Sequence, residues 1–157
     1  MPLTIRVAET ADLPAVARLA GMLVRQHHAF DAQRFLLVAD VEGGYTRFLR
    51  GELSNPAARV WAAESEHGIV GYAYARLEPR DWNNLLDACV ALHDIFVDES
   101  ARRRGVARAL LEAVRAWAAS RGAPRVVLHT ASKNAVARQF FGSLGFRETM
   151  IEFTSEL

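Results

Sequence analysis

The chain has 157 residues, of which 51% are hydrophobic and 24% are charged, and this balance is typical of a globular domain with a sizeable core. It excludes a disordered or fibrous protein. Basic residues number 19 and acidic residues 18, so the net charge is +1 and no overall field attracts nucleic acid or an anionic membrane. We therefore expect neither as a partner, and any anion site must be local. Every basic residue except Lys133 is arginine, which favours planar contact with phosphate or carboxylate.

Cysteine occurs once, at Cys89, which excludes an intrachain disulfide and a multi-cysteine metal site. A cytoplasmic location is expected from this usage. The first ten residues lack the basic-then-apolar pattern of a signal peptide, and no apolar stretch is long enough to span a bilayer. Because no repeat or flexible linker divides the sequence, one domain over residues 1–157 is predicted.

The first half of the chain predicts alternating strands and helices. Residues 4–7 are typical of a strand, and apolar residues then recur at helical spacing from Leu13 to Val24. Two shorter helices are predicted over residues 31–38 and 42–53. Residues 59–65 and 69–77 predict an antiparallel hairpin, in which Gly71 is a candidate for a β-bulge.

The second half predicts a strand over residues 88–97 and then the clearest helix of the chain, from Gly105 to about residue 121. A buried strand over 125–130, a helix over 134–144 and a last strand over 146–153 follow. The whole pattern predicts an α/β fold with a mixed sheet and helices on both faces.

The loop before the clearest helix is rich in arginine. A helix N-terminus already carries about half a positive charge, so the side chains of Arg102, Arg103, Arg104 and Arg108 destabilise it unless an anion offsets them. Free backbone N–H groups of the first turn bind such an anion, and Gly105 allows it to approach closely. The spacing therefore predicts a pyrophosphate site. The motifs G-x-x-x-x-G-K-[ST] and G-x-G-x-x-G are absent, which disfavours a nucleotide hydrolase or a dehydrogenase.

These residues resemble the GNAT superfamily of acyl-CoA-dependent N-acetyltransferases. Residues 102–107, Arg-Arg-Arg-Gly-Val-Ala, match the family motif Arg/Gln-x-x-Gly-x-Gly/Ala. Residues 92–97 are similar to the family's fourth strand, and residues 134–146 are similar to its later Asn-x-x-Ala-x-x-x-Tyr-x-x-x-Gly-Phe segment. The two motifs occur in the family's order and spacing, so the resemblance covers nearly the whole chain.

The resemblance implies a mixed, mostly antiparallel sheet splayed between strands 4 and 5, with acetyl-CoA bound as co-substrate in the cleft. It implies that the pantetheine arm pairs with the backbone of Ile95, Phe96 and Val97, a form of strand addition. Asn134 is expected to hold the co-substrate from the other side, or simply to cap the helix that follows it. The pyrophosphate is expected on the segment that contains Arg102, Arg103, Arg104, Gly105, Val106, Ala107 and Arg108.

The reaction that the resemblance implies needs a base, an oxyanion donor and an acid. His93 and Asp94 are both candidates for the base, and only one of them can face the cleft unless a bulge interrupts the strand. The resemblance implies a backbone N–H near Val97 as the oxyanion donor. Where many members carry a tyrosine acid, this chain has Phe141, which has no proton to give and is expected to pack against the thioester.

The acceptor is expected to be a primary amine of a small molecule or a peptide, with His28 and Asp31 as candidate contacts. No metal is expected, because these side chains lack a matching partner cluster. Two alternatives remain open: a non-catalytic acyl-CoA-binding regulatory domain, suggested by Phe141, and a nucleic-acid-binding surface over residues 102–108. A homodimer formed by pairing of the last predicted strand is also open.

Overall fold

Five strands form one mixed sheet in the computed structural model, which describes residues 2–157. They lie in the order β1-β2-β3-β4-β5, and the first three neighbour pairs are antiparallel, whereas β4 and β5 are parallel. The strands are β1 Thr4–Val7, β2 Ala58–Ser65, β3 Gly68–Glu78, β4 Cys89–Val97 and β5 Val126–Leu128.

Four helices cover the two faces of this sheet. They are α1 Leu13–Phe30, α2 Val41–Leu53, α3 Val106–Ser120 and α4 Ala135–Ser143, with short 3-10 turns at Thr10–Asp12 and Glu99–Ala101. Side chains of α1 and α2 pack against Val60 and Tyr72, whereas those of α3 and α4 pack against Trp61 and Ala73. Alternate strand residues thus enter two separate cores, as a pleated strand buried on both faces requires. The predicted fold class is confirmed.

Two β-bulges interrupt the register of the central strands. Ala63 pairs with Gly71 but Glu64 pairs with Ile69, so the extra residue lies next to Gly71 in β3. In β4, Asp94 pairs with Tyr74 but Leu92 pairs with Ala75, which leaves His93 as the extra residue. A bulge of this kind breaks the alternation of side chains and redirects the residues on either side of it.

Strands β4 and β5 stay together over only part of their length. Their pairing runs from Val90 opposite Val126 to Leu92 opposite Leu128. Beyond Leu92, the edge of β4 that faces β5 has no strand partner among residues 2–157, because β5 ends while β4 continues to Val97. The predicted splay between strands 4 and 5 is therefore present, and it begins at the bulge.

The helix predicted over residues 31–38 does not form. Asp31 follows the last residue of α1 in an extended conformation, and its carboxylate accepts the backbone N–H groups of Gln33 and Arg34. This side chain closes a turn, which competes with helical hydrogen bonding. The apolar residues that suggested a helix lie at the surface, and Leu36 is 70% exposed.

The strand predicted over residues 146–153 does not form either. The backbone there pairs with no other strand of the described chain, and Met150, Ile151 and Phe153 are exposed. Its alternation of apolar and polar residues is typical of a strand, but a strand needs a neighbour to satisfy its backbone groups. The segment is instead held by side-chain contacts of Glu148 with Arg138 and of Glu152 with Arg34.

None of the helices in residues 2–157 combines the length and the apolar character that crossing a bilayer requires. The cytoplasmic location stays a prediction.

Candidate active site

A cavity of about 460 Å³ opens beside the bulge of β4, and we call it the acceptor cavity. Helix α2, strand β3 and strand β4 each contribute to its wall. The lining residues are Gly44, Tyr45, Phe48, Tyr74, Arg76, Glu78, His93 and Asp94. His93 and Asp94 are neighbours in sequence, and strict alternation would send them to opposite faces. The bulge at His93 brings both into one cavity.

The imidazole of His93 is held on two sides. Its Nε2 lies 3.0 Å from Oε1 of Glu78. Its ring stacks on the ring of Tyr74, with centroids 5.4 Å apart and planes 26° from parallel. The side chain is 43% exposed, and Nδ1 contacts no polar partner in residues 2–157. One ring nitrogen is therefore bound to protein and the other is available to a ligand.

Asp94 lies under two tyrosine hydroxyls. Tyr72 donates a hydrogen bond of 3.0 Å to Oδ2 of Asp94, and Tyr45 interacts with the same carboxyl group. Burial raises the pKa of Asp94 above its usual range, although the hydrogen bonds from both tyrosines act in the opposite direction. Burial, together with this nearby carboxylate, also raises the pKa of Tyr45 and of Tyr72.

A second carboxylate fixes the aromatic wall of the cavity. The hydroxyl of buried Tyr74 donates to Glu52, which also accepts from Asn55 and lies 3.6 Å from Nε of Arg76. Burial alone would raise the pKa of Glu52, but the hydrogen bonds and the guanidinium charge outweigh it and lower the pKa. Glu52 is therefore ionised at neutral pH and anchors Tyr74 in place.

The start of α3 is open to an anion, and we call residues 103–108 the α3 cradle. Gly105 and Arg103 both have a left-handed backbone, with φ of 80° and 59°. No side chain caps α3, and its first helical bond runs from the N–H of Ala109 to the carbonyl of Gly105. The N–H groups of Val106, Ala107 and Arg108 are thus left without a helical partner. They match the requirement of a phosphate group.

The arginines around this helix start fall into two groups. Arg103, Arg104 and Arg108 are exposed and form no ion pair or hydrogen bond with any of residues 2–157. Arg102 turns away from the cradle: its Nε donates to the carbonyl of Val97 at 3.1 Å, and its guanidinium lies 5.4 Å from the centre of the Phe96 ring. Three unpaired cations therefore remain for a pyrophosphate, and they fit it.

The other residues expected near the co-substrate occupy different environments. Ile95, Phe96 and Val97 form the unpaired edge of β4. Asn134 caps α4 through a hydrogen bond of 3.1 Å from the N–H of Ala137. Phe141 is buried in the core, with its ring 5.2 Å from Phe140 and 5.7 Å from Phe146.

His28 and Asp31 lie at the end of α1 and do not line the acceptor cavity. Nδ1 of His28 is 2.8 Å from the carbonyl of Phe35, and Asp31 closes the adjoining turn. Sequence reasoning missed most of the wall instead. A signal was present, because polar residues recur at every second position of β3 in Tyr72, Tyr74, Arg76 and Glu78, which is the period of one strand face.

Comparisons with known proteins identify a family. A model of the acetyltransferase (GNAT) family matches residues 23–146. The uncharacterized N-acetyltransferase YhfO of Bacillus subtilis is 29% identical over 146 residues, which cover 93% of this chain and 91% of that protein. Human N-acetyltransferase 8 is 35% identical over 97 residues, which cover 62% of this chain and only 42% of that protein.

The fold also matches a solved enzyme. The aminoglycoside N-acetyltransferase AAC(6')-Iy in complex with CoA superimposes with a TM-score of 0.80 at 23% identity, covering 99% of this chain and 95% of that one. The chain belongs to the GNAT family. The matching family model is one of acetyltransferases.

Proposed function

We propose that this protein transfers an acetyl group from acetyl-CoA to a primary amine of a small molecule or peptide, by direct attack in a ternary complex. The observation that carries this proposal is the position of β4. The unpaired edge of β4 begins at His93 and Asp94 in the acceptor cavity. It ends at Val97, from which the chain continues to the α3 cradle. A single strand therefore joins a candidate base to a candidate pyrophosphate site.

Acetyl-CoA, when bound, supplies the acetyl group as a thioester. The N–H groups of Val106, Ala107 and Arg108, with the side chains of Arg103, Arg104 and Arg108, hold the pyrophosphate. The backbone of Ile95, Phe96 and Val97 pairs with the pantetheine arm. Asn134 has an amide nitrogen left over after it caps α4, and this group contacts the co-substrate from the side of β5.

His93 accepts a proton from the ammonium form of the acceptor. Its Nδ1 has no polar partner in residues 2–157, whereas the carboxyl group of Asp94 interacts with the hydroxyls of Tyr72 and Tyr45. Asp94 attracts the ammonium group and keeps Tyr45 and Tyr72 oriented. Phe141 is buried and has no proton, so it takes no part in acid catalysis.

The wall of the acceptor cavity favours an amine with an apolar body. Tyr45, Phe48 and Tyr74 provide aromatic surface, and the carboxylates of Glu78 and Asp94 favour a cation. A volume of about 460 Å³ suits a small molecule or the end of a peptide. That AAC(6')-Iy is an aminoglycoside N-acetyltransferase supports a small-molecule acceptor.

The exposed segment after α4 supports self-association. Met150, Ile151 and Phe153 are 73%, 78% and 91% exposed, and the outer edge of β5 has no strand partner in residues 2–157. An exposed apolar segment and a free strand edge on the same chain favour pairing between two copies. Self-association is tested by measuring the molar mass of the wild type and of an Ile151→Glu variant by light scattering. The wild type is expected to be a dimer and the variant a monomer.

Two measurements on the wild type test the proposed activity. A thermal shift with CoA reports on the cradle, because a ligand at a hundredfold excess over its Kd stabilises the folded state by about 2.7 kcal/mol. A thiol-release assay against a panel of primary amines, with the product checked by mass, reports on transfer. A CoA shift without turnover on any amine would establish the non-catalytic binding domain instead. DNA or RNA binding without a CoA shift would establish the nucleic-acid surface.

A further inference from the structure

We propose that Glu78 is a positioning residue that keeps the neutral imidazole of His93 protonated at Nε2, so that Nδ1 is the basic nitrogen. This inference rests on the proposed function, because it assigns the atom that accepts the proton from the amine. The family motifs do not point to Glu78, and the sequence marks it only as one of the polar residues at every second position of β3. It is the last residue of β3, two residues beyond Arg76, and its carboxylate enters the acceptor cavity.

The tautomer follows from the chemistry of the contact. An ionised carboxylate only accepts hydrogen bonds, so the nitrogen 3.0 Å from Oε1 of Glu78 must carry a proton. A neutral imidazole has one protonated nitrogen, and Nδ1 is therefore left with its lone pair. Since Nδ1 has no protein partner in residues 2–157, this lone pair is free to meet the acceptor.

Two neighbours keep this contact in place. Nε of Arg76 lies 3.9 Å from the same Glu78 oxygen and brings a positive charge beside the carboxylate. Tyr74 stacks against the imidazole, and its hydroxyl is fixed by Glu52, so the ring cannot rotate without losing that contact. The ring plane and the protonated edge of His93 are thus both set before an acceptor arrives.

The Glu78–His93 pair also accounts for the proton that the acceptor loses. An N–H bond of the acceptor ammonium breaks and an Nδ1–H bond forms, which converts His93 to imidazolium. The new positive charge lies beside the carboxylate of Glu78, which stabilises it at short range. The amine keeps its electron pair and becomes the nucleophile. Without Glu78, neutral His93 would populate both tautomers. In one of them Nδ1 carries a proton and cannot act as the base.

The test reads the tautomer directly and does not depend on turnover. In protein labelled with ¹⁵N histidine, the wild type is expected to show Nε2 protonated and Nδ1 unprotonated when His93 is neutral. Glu78→Ala is expected to show a measurable fraction protonated at Nδ1. Glu78→Gln keeps the side-chain volume, but its amide can accept or donate a hydrogen bond. Its fraction of neutral His93 protonated at Nδ1 is expected to lie between those of the wild type and Glu78→Ala. Asp87→Asn removes a surface carboxylate that pairs with Arg80 and is the matched control, with no expected change.

Kinetics supply the second readout. Glu78→Ala is expected to lower kcat roughly 10- to 100-fold, the usual cost of losing a hydrogen bond to a charged group, while the thermal shift with CoA is retained. A wild-type His93 protonated at Nδ1, or a tautomer unchanged in Glu78→Ala, would overturn the positioning role. The expected tautomers in a wild type that acetylates no amine would instead overturn the proposed function and leave the Glu78–His93 contact established.

Discussion

The two ends of the β4 edge differ in whether their charged side chains have protein partners. In the acceptor cavity, Glu78 contacts His93, and Asp94 lies against Tyr45 and Tyr72. In the α3 cradle, Arg103, Arg104 and Arg108 have no partner within residues 2–157, and the helix start beneath them is uncapped. The cavity is therefore already organised by protein contacts, whereas the cradle is a concentration of positive charge that no group in residues 2–157 neutralises.

This difference teaches which site tolerates substitution without loss of folding. In the cavity, removing one member of the Glu78–His93 pair leaves the other member without its partner. Charges that repel one another near a helix N-terminus destabilise it, and removing one relieves the free protein. Variants of the cavity should therefore lower catalysis, and variants of the cradle should lower binding of CoA.

The largest effect is expected from His93→Ala. Loss of a general base usually costs about 100- to 10,000-fold in rate, so kcat should fall within that range while the thermal shift with CoA is retained. His67→Ala, at the exposed turn between β2 and β3, is the matched histidine control and should leave both unchanged. Full activity in His93→Ala would transfer the role of base to Asp94, and the same assay on Asp94→Asn would then lose the rate.

The next largest effect is expected from Gly105→Glu, read as the loss of CoA binding. A Cβ at Gly105 meets no atom within 4 Å, so the new carboxylate projects into open space in front of the cradle and repels phosphate. Up to about 2.7 kcal/mol of stabilisation by CoA should disappear.

Gly122→Glu is the control for backbone strain in that experiment. Gly122 has a similar left-handed φ of 70°, also faces open space and follows the other end of α3. Both variants should lose a similar amount of free energy of unfolding, roughly 1–2 kcal/mol, but only Gly105→Glu should lose the response to CoA. An equal CoA shift in the two variants would move the pyrophosphate away from α3.

The sequence predicted the cradle better than the cavity, because the cradle is local. Its groups lie within residues 103–108, and the strand and helix around them have strong periodicity. The cavity joins α2, β3 and β4, and its geometry depends on one bulge. A shift of one residue in β4 decides whether His93 and Asp94 share a face, and the hydrophobic pattern does not contain that information.

Errors at the two surface segments have a related cause. Residues 31–38 and 146–153 contain apolar side chains at helical or strand spacing, yet most of these side chains lie outside the cores, among them Leu36, Leu37, Val38, Met150, Ile151 and Phe153. Periodicity shows which face would be buried and not whether a neighbour exists to bury it. The turn closed by the side chain of Asp31 and the absence of a strand paired with Ile151 depend on the folded structure, so the spacing of apolar residues does not predict them.

The pH dependence of stability sharpens the comparison through Asp94. Burial raises the pKa of Asp94 in the folded protein, so the folded state prefers the protonated carboxyl group. Its contribution to the free energy of unfolding is therefore largest below the unfolded pKa of about 3.9, and it is lost as pH rises toward the folded pKa. In Asp94→Asn the side chain does not ionise, so the free energy of unfolding should not decrease for this reason as pH rises.

Melting temperatures of wild type and Asp94→Asn, measured from pH 3.5 to pH 8, test this expectation. The two proteins should melt at similar temperatures at the acid end, and the variant should become the more stable one as pH rises. Asp81→Asn is the matched control, because hydrogen bonds from Asn84 lower the pKa of Asp81 at the surface, so its stabilising effect is lost at low pH instead. A variant less stable than wild type at pH 8 would mean that the tyrosine hydrogen bonds outweigh the burial of Asp94.

The smallest effect is expected from Arg103→Gly and Arg104→Ala. Each cation beside the uncapped start of α3 costs a few tenths of a kcal/mol, and Gly at position 103 also suits the left-handed backbone there. The free protein should therefore melt slightly higher, while the Kd for CoA rises several-fold and becomes less sensitive to salt. Arg50→Ala is the control, because Arg50 is near the end of α2, where a cation stabilises the helix, and its removal should lower the melting temperature without changing the Kd for CoA. If Arg103→Gly lowered the melting temperature instead, the charge in the cradle would be neutralised by the protein itself, and the contrast between the two ends of β4 would fail.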